Sequence, residues 1–299
     1  MIVALTIGSA SAQQVCGPFS MTVSGGDTAT LVSCGLVSGT TYDLTVTATA
    51  DGGNNVITCT IDVTTNPRSI GTATFTNTAG SGVELRIVLR GSSPTNDPVV
   101  VSSIVRGGGS NGAVRLDTLS TVGDVGTISV SSIGLVTVGG DLTGDITCTT
   151  GNLGTLEVNG SISGTTEITV SNGRIDLINV PTSGGDIGAS NNPAIIECEE
   201  LRRLFVAGDV WARVTVQEST TPFAYGPIGR FDVGGTIGIV DDDTAWDVGD
   251  IDDIAGGSID PGFYVTGNQE TPITFNGDVD EPIEILGDLS AGAQLHVTG

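Results

Sequence analysis

From Leu116 onward the chain repeats one short phrase, two apolar residues one position apart followed two positions later by glycine. It reads Val136-x-Val138-x-Gly140, Leu156-x-Val158-x-Gly160, Leu204-x-Val206-x-Gly208, Phe231-x-Val233-x-Gly235 and Phe263-x-Val265-x-Gly267. It continues as Ile273-x-Phe275-x-Gly277, Ile283-x-Ile285-x-Gly287 and Leu295-x-Val297-x-Gly299. Alternation with period two predicts one strand per phrase, and the glycine predicts the turn that ends it. The last phrases recur every roughly ten to twelve residues, so pairs of strands predict stacked coils of about twenty. Inward Val, Ile and Leu of one coil then lie on those of the next, about 4.8 Å away. Asp, Asn or Ser after the glycine can bond the turn backbone. None of these requirements involves a ligand.

The earlier part has a different rhythm. Residues 17 to 100 offer seven short alternating runs, among them "FSMTV", "TATLVSC", "TYDLTVTATA" and "VELRIVLR", separated by turn signals. Strands at this spacing predict a β-sandwich. The expected organisation is all-β: an export signal or apolar strand at 1–12, a sandwich at 13–105, a linker "RGGGSNG" at 106–112 and a β-solenoid at 113–299.

Composition narrows the picture. Aromatics are 4% of the chain and there are 45 glycines, so the core must come from aliphatic residues joined by frequent turns. The net charge is −24 and every basic residue is arginine, which argues against nucleic acid and anionic membranes as partners. No apolar run is long enough to predict a membrane-spanning helix. "MIVALTIGSASA" combines a short apolar run with the small-x-small pattern of a signal-peptidase site but lacks a basic start, so an export signal and a sheet-seeking strand both stay open.

These patterns carry two resemblances. "GLVSGTTYDLTVTATA" (35–50) resembles the late-strand motif of fibronectin type III domains, which implies an immunoglobulin-like sandwich. The phrases of residues 113–299 resemble the parallel β-helix (pectin-lyase-like) superfamily and, more closely, glycine- and aspartate-rich β-solenoid surface proteins of bacteria. That resemblance implies a fold far more than an activity.

Candidate chemistry is sparse. A hairpin turn at "SGGD" (24–27) would set Cys16 beside Cys34, the predicted disulfide, and leaves Cys59, Cys148 and Cys198 unassigned. The acidic run "VDDDTAWDVGD" puts Asp241, Asp242, Asp243, Asp247 and Asp250 close together; bound calcium and a solvated acidic loop are the two readings, and no other cofactor is expected. Acid pairs on a β-helix face also suggest polysaccharide cleavage. With no lysine and a single histidine, His296, the companions of such a site are missing and no enzyme is expected. Trp211, Trp246, Tyr225, Tyr264, Phe223 and Phe263 read as core or as sugar-stacking platforms. Glu197, Glu199, Glu200, Arg202 and Arg203 read as an ion-paired coil edge, and Asn159 begins a glycosylation sequon.

The function expected from these readings is an exported structural subunit of an extracellular fibre or cell-surface assembly. It would join head to tail with copies of itself through open β edges. Met1, Ile2, Val3, Leu5 and Ile7 at one end and Leu295 and Val297 at the other are the expected contacts. The alternatives are a glycan-binding or glycan-cleaving module and a calcium-stabilised adhesin.

Overall fold

A computed structural model describes residues 13–23, 27–51, 53, 55–64, 69–91, 97–216, 228–238, 246–248, 262–265, 273–275, 283–289 and 295–297. Every regular element among them is a β-strand. The chain divides into two compact units, Met1–Gly140 and Asp141–Gly299.

The first unit holds β1 (Gln13–Cys16), β2 (Phe19–Val23), β3 (Thr28–Ser38), β4 (Thr41–Ala50), β5 (Val56–Val63) and β6 (Ser69–Asn77). It continues with β7 (Glu84–Gly91), β8 (Val101–Arg106), β9 (Ala113–Ser120), β10 (Val125–Val130) and β11 (Ser132–Val138). From β4 onward successive strands alternate between two sheets, in the orders β1-β2-β5-β7-β9-β11 and β3-β4-β6-β8-β10. Alternation of this kind makes neighbours in each sheet parallel, because the chain crosses to the opposite sheet and back before each new strand. Ile61, Leu89, Leu119 and Val136 thus fall in register, all buried.

The structure corrects the immunoglobulin-like topology expected for 13–105, which would be antiparallel throughout. Only the pairs β1–β2, β2–β5 and β3–β4 are antiparallel there; β4–β6, β5–β7 and β6–β8 are parallel. Even strand spacing looks the same in sequence whether the next strand returns alongside or crosses over. The two antiparallel hairpins turn on Gly17 (φ 57°) and Gly39 (φ 54°), where a side chain would be strained. Tyr42, the residue of the fibronectin-like motif, meets Phe19 edge to face at 5.4 Å. Of residues 106–112, read as a linker, Arg106 ends β8 and 107–112 form a bonded turn in which the Gly107 N–H donates to Phe75 O and the Asn111 N–H to Asn77 O, both at 2.7 Å. The buried Asn77 amide donates in turn to Val83 O and Ala113 O, each at 2.9 Å, which satisfies it.

The second unit holds β12 (Ile146–Cys148), β13 (Leu153–Val158), β14 (Glu167–Val170), β15 (Arg174–Val180), β16 (Ala194–Cys198), β17 (Glu200–Val206) and β18 (Val210–Val216). It ends with β19 (Ile228–Val233), β20 (Ile237–Gly238), β21 (Trp246–Val248), β22 (Gly262–Val265), β23 (Ile273–Phe275), β24 (Ile283–Ile285) and β25 (Leu295–Val297). One sheet runs β13-β15-β17-β19-β22-β24, the other β12-β14-β16-β18-β21-β23-β25, and every pairing in both is parallel. Leu156, Ile178, Leu204, Phe231, Phe263 and Ile283 stand in register, so one rung takes roughly twenty to thirty residues. A third column of parallel bridges joins Leu142, Ile162, Ile187, Val210 and Ile237 at the corner between the sheets. All five are buried, and burial of each aliphatic side chain contributes about 1.5–3 kcal/mol.

Candidate functional site

The glycine-acid phrases become a ladder along the rungs. The Ser161 N–H donates to Asp141 Oδ1 at 2.8 Å, and the Glu167 N–H to Asp145 Oδ1 at 2.9 Å. The Arg174 N–H donates to Asn152 Oδ1 at 3.1 Å, the Asp209 N–H to Asp186 Oδ1 at 2.8 Å and the Thr236 N–H to Asp209 Oδ1 at 2.7 Å. Asp43 does the same for the Thr72 N–H in the first unit, at 2.7 Å. The acid therefore bonds the backbone of the following rung, where the sequence pattern suggested only its own turn. Glycine before the donating N–H answers to the same contact: a Cβ on Gly208, before Asp209, would collide with Asp186 Oδ1, and one on Gly235, before Thr236, with Asp209 Oδ1.

Arginine and acid alternate on the outer face of one sheet in each unit. Arg86 pairs with Glu84 and Arg115 with Asp117 in the first; Arg174 pairs with Asp176, Arg202 with Glu200 and Asp176, and Arg230 with Asp232 in the second. Each pair within a strand straddles one buried apolar residue, Leu85, Leu116, Ile175, Leu201 or Phe231. Exposed pairs of this type are worth little individually. Their regularity matters more, because opposite charges compensate on a face that would otherwise add to the self-repulsion of the chain.

Cys16 and Cys34 are joined by a disulfide with Cα atoms 6.1 Å apart. The route differs from the predicted hairpin: β2 pairs with β1 and β5 while β3 pairs with β4, so the bond ties the outermost strands of two different sheets. Gln14 adds a second tie, donating from Nε2 to Ala29 O at 2.9 Å and accepting the Leu31 N–H at Oε1 at 2.8 Å. Cys59, Cys148 and Cys198 lie outside the disulfide and are buried. Burial pushes the Cys59 thiol up from 9.0 to about 12, with the charge of Asp27 adding to the shift, and burial raises Cys198 as well.

Of the acidic run, Asp247 falls on β21 and Asp241, Asp242, Asp243 and Asp250 lie outside the described residues. Among the described residues no three His, Cys, Asp or Glu side chains group as metal ligands. Met1, Ile2, Val3, Leu5 and Ile7 also lie outside the described residues. Leu295 is 43% exposed on β25, Val297 shares that strand, and Asn159 is exposed in the turn after β13. Glu197 falls on β16, Glu200, Arg202 and Arg203 on β17, and Glu199 between the two strands.

Two further features go beyond the residues singled out in the sequence, which included only Leu295 among them. Large exposed hydrophobic residues gather on β1 and β3 of the first unit, at Val15 (68%), Val32, Leu36 and Val37 (61%), and on the closing rung of the second, at Leu286 (69%), Leu289 and Leu295. In addition, a concavity of about 370 Å³ crosses the ends of β15, β17 and β19, with Asn179, Phe205 and Asp232 in register on its wall. Phe205 lies outside the aromatic set picked from the sequence; it is the middle position of the phrase Leu204-x-Val206-x-Gly208, where the pattern specifies no residue type.

No protein-family model, curated protein or solved structure matches this chain.

Proposed function

We propose that this chain is an exported structural subunit, a β-solenoid that joins head to tail with copies of itself in an extracellular or cell-surface assembly. The observation that carries the reading is the distribution of exposed apolar side chains. Val15, Val32, Leu36 and Val37 sit on outer strands of the first unit, and Leu286, Leu289 and Leu295 on or beside outer strands of the second. Water-exposed hydrophobic rows next to sheet edges are what a further rung would cover. The residues that give the stack its regularity, the Asp–backbone ladder and the buried columns, act as structure, so the reading assigns no catalytic step. Calcium at the acidic run belongs to the proposal only as a stabilising ion.

Light scattering on purified protein tests the reading. The average mass should climb with protein concentration, and more steeply when salt is raised from about 0.01 M to about 0.15 M, since screening relieves repulsion between chains of charge −24. A constant monomer mass across both series would rule it out. The concavity at Phe205 supports a second reading, glycan binding, in which the ring stacks on a sugar face and Asn179 and Asp232 bond its hydroxyls. Titration with neutral and acidic oligosaccharides checks it: Phe205→Ala should weaken binding at least tenfold, and equal binding would discard the site.

A further inference from the structure

The two strands at the outer edges of the first unit are finished differently. β1 spans Gln13–Cys16, and three of its four side chains are committed, with Val15 left exposed: Gln13 donates to Ser20 Oγ, Gln14 bonds Ala29 and Leu31, and Cys16 is bridged to Cys34. β3 is 11 residues long and contains neither a charged residue nor a proline. Edge strands are ordinarily protected by shortness, charge, proline, bulges or cover, and of these β3 has the register shifts against β4 at Thr28/Ala29, Leu31/Ser33 and Leu36/Ser38 and a partial cover. Gln14 and the disulfide cover β3 only as far as Cys34. From Gly35 to Ser38 every residue is exposed, and among the described residues no hydrogen bond reaches this tract from outside the β3–β4 pairing. The register skips Val37, which is turned outward at 61% exposure beside Leu36 at 58%. A Cβ added to Gly35 would meet nothing within 4 Å, so the face of the strand beside Leu36 is uncovered there as well.

We infer that Gly35–Ser38 is the acceptor edge of the junction, taking one short strand from the closing rung of a second copy. The occupant follows from chemistry. An edge of unpaired N–H and C=O groups selects an extended backbone. An uncharged edge on a chain of charge −24 spares an equally acidic partner the repulsion it would meet elsewhere. The closing strands of the second unit are short, β24 and β25 having 3 residues each, and Leu286, Leu289 and Leu295 beside them are exposed and apolar, the complement of Leu36 and Val37. The inference rests on the head-to-tail reading and adds to it which edge receives the partner and over which residues.

Light scattering of three proteins separates the two claims. Leu36→Lys/Val37→Lys should require at least tenfold more protein to assemble than the wild type. Val122→Lys, which places the same charge at an exposed apolar site away from β3, should assemble as the wild type does. Undiminished assembly of the double variant would overturn the acceptor edge and leave the head-to-tail reading standing, whereas a wild type that never assembles overturns both. Hydrogen exchange on the wild type gives an answer that depends on no variant folding. The amides of Gly35–Ser38 should exchange at least tenfold more slowly in the assembly than in the monomer, and an unchanged rate in assembled protein would place the junction elsewhere.

Discussion

Asp209 accepts the Thr236 N–H while its own N–H donates to Asp186, so one residue links three rungs. Its carboxylate is half-buried, and bonds of a backbone donor to a charged acceptor contribute about 1.5–3 kcal/mol. Asp209→Ala should therefore lower stability by about 2 kcal/mol in urea unfolding, whereas Asp209→Asn, which keeps the acceptor oxygen, should cost less than half as much. Equal losses would mean that the charge matters more than the bond. The glycines and acids of this ladder were legible as a repeated phrase, but their partners were not, because the bond runs to a residue twenty or more positions away. The charge pairs were legible in principle: Glu-Leu-Arg, Arg-Leu-Asp, Arg-Ile-Asp and Arg-Phe-Asp all place opposite charges two residues apart around one apolar residue, the period of a strand face. Cys59 gives a residue-scale prediction of the opposite sign to acid unfolding. An unfolded thiol ionises near 9.0, the folded one holds its proton to about 12, and so stability should fall as pH rises between those values. Cys59→Ala should flatten that part of the stability–pH curve, and an unchanged slope would remove the thiol as its cause.

At the scale of elements, β1 and β3 behave as a partial cap on parallel strands that are otherwise open. Parallel pairing begins at β4, and the antiparallel strands before it are held by the Cys16–Cys34 bridge and the Gln14 bonds. A bridge spanning a separation of 18 residues should contribute about 3 kcal/mol through the unfolded chain. Reduction should lower the melting temperature of the wild type to that of Cys16→Ser/Cys34→Ser, which should itself be insensitive to reductant; equal melting in all conditions would show that the bridge does not hold the cap. Cysteine positions and strand runs were readable in this region, whereas the partner of each strand was not. Local alternation records which face of a strand is buried, and "TATLVSC" carries no trace of which neighbour supplies its hydrogen bonds. The predicted strand "TATLVSC" ended at Cys34, and alternation gave no sign that β3 runs on to Ser38.

At the scale of the molecule, two properties pull in opposite directions. A charge of −24 keeps copies apart, while the uncharged β3 and the exposed apolar residues on or beside the outer strands favour bringing them together. The proposed association, limited to those edges, would resolve the conflict, since strands would pair edge to edge and the charged turns and faces would remain in water. The repeat phrases made the stacked, all-β architecture readable across residues 113–299, and the structure extends parallel stacking back to β4, where the spacing of strands had suggested a sandwich. Electron microscopy of purified, oxidised protein with residues 1–12 intact tests the central claim most directly. The account predicts unbranched filaments one molecule wide that shorten or vanish in Leu36→Lys/Val37→Lys; uniform single particles at every concentration and salt, for wild type and variant alike, would contradict it.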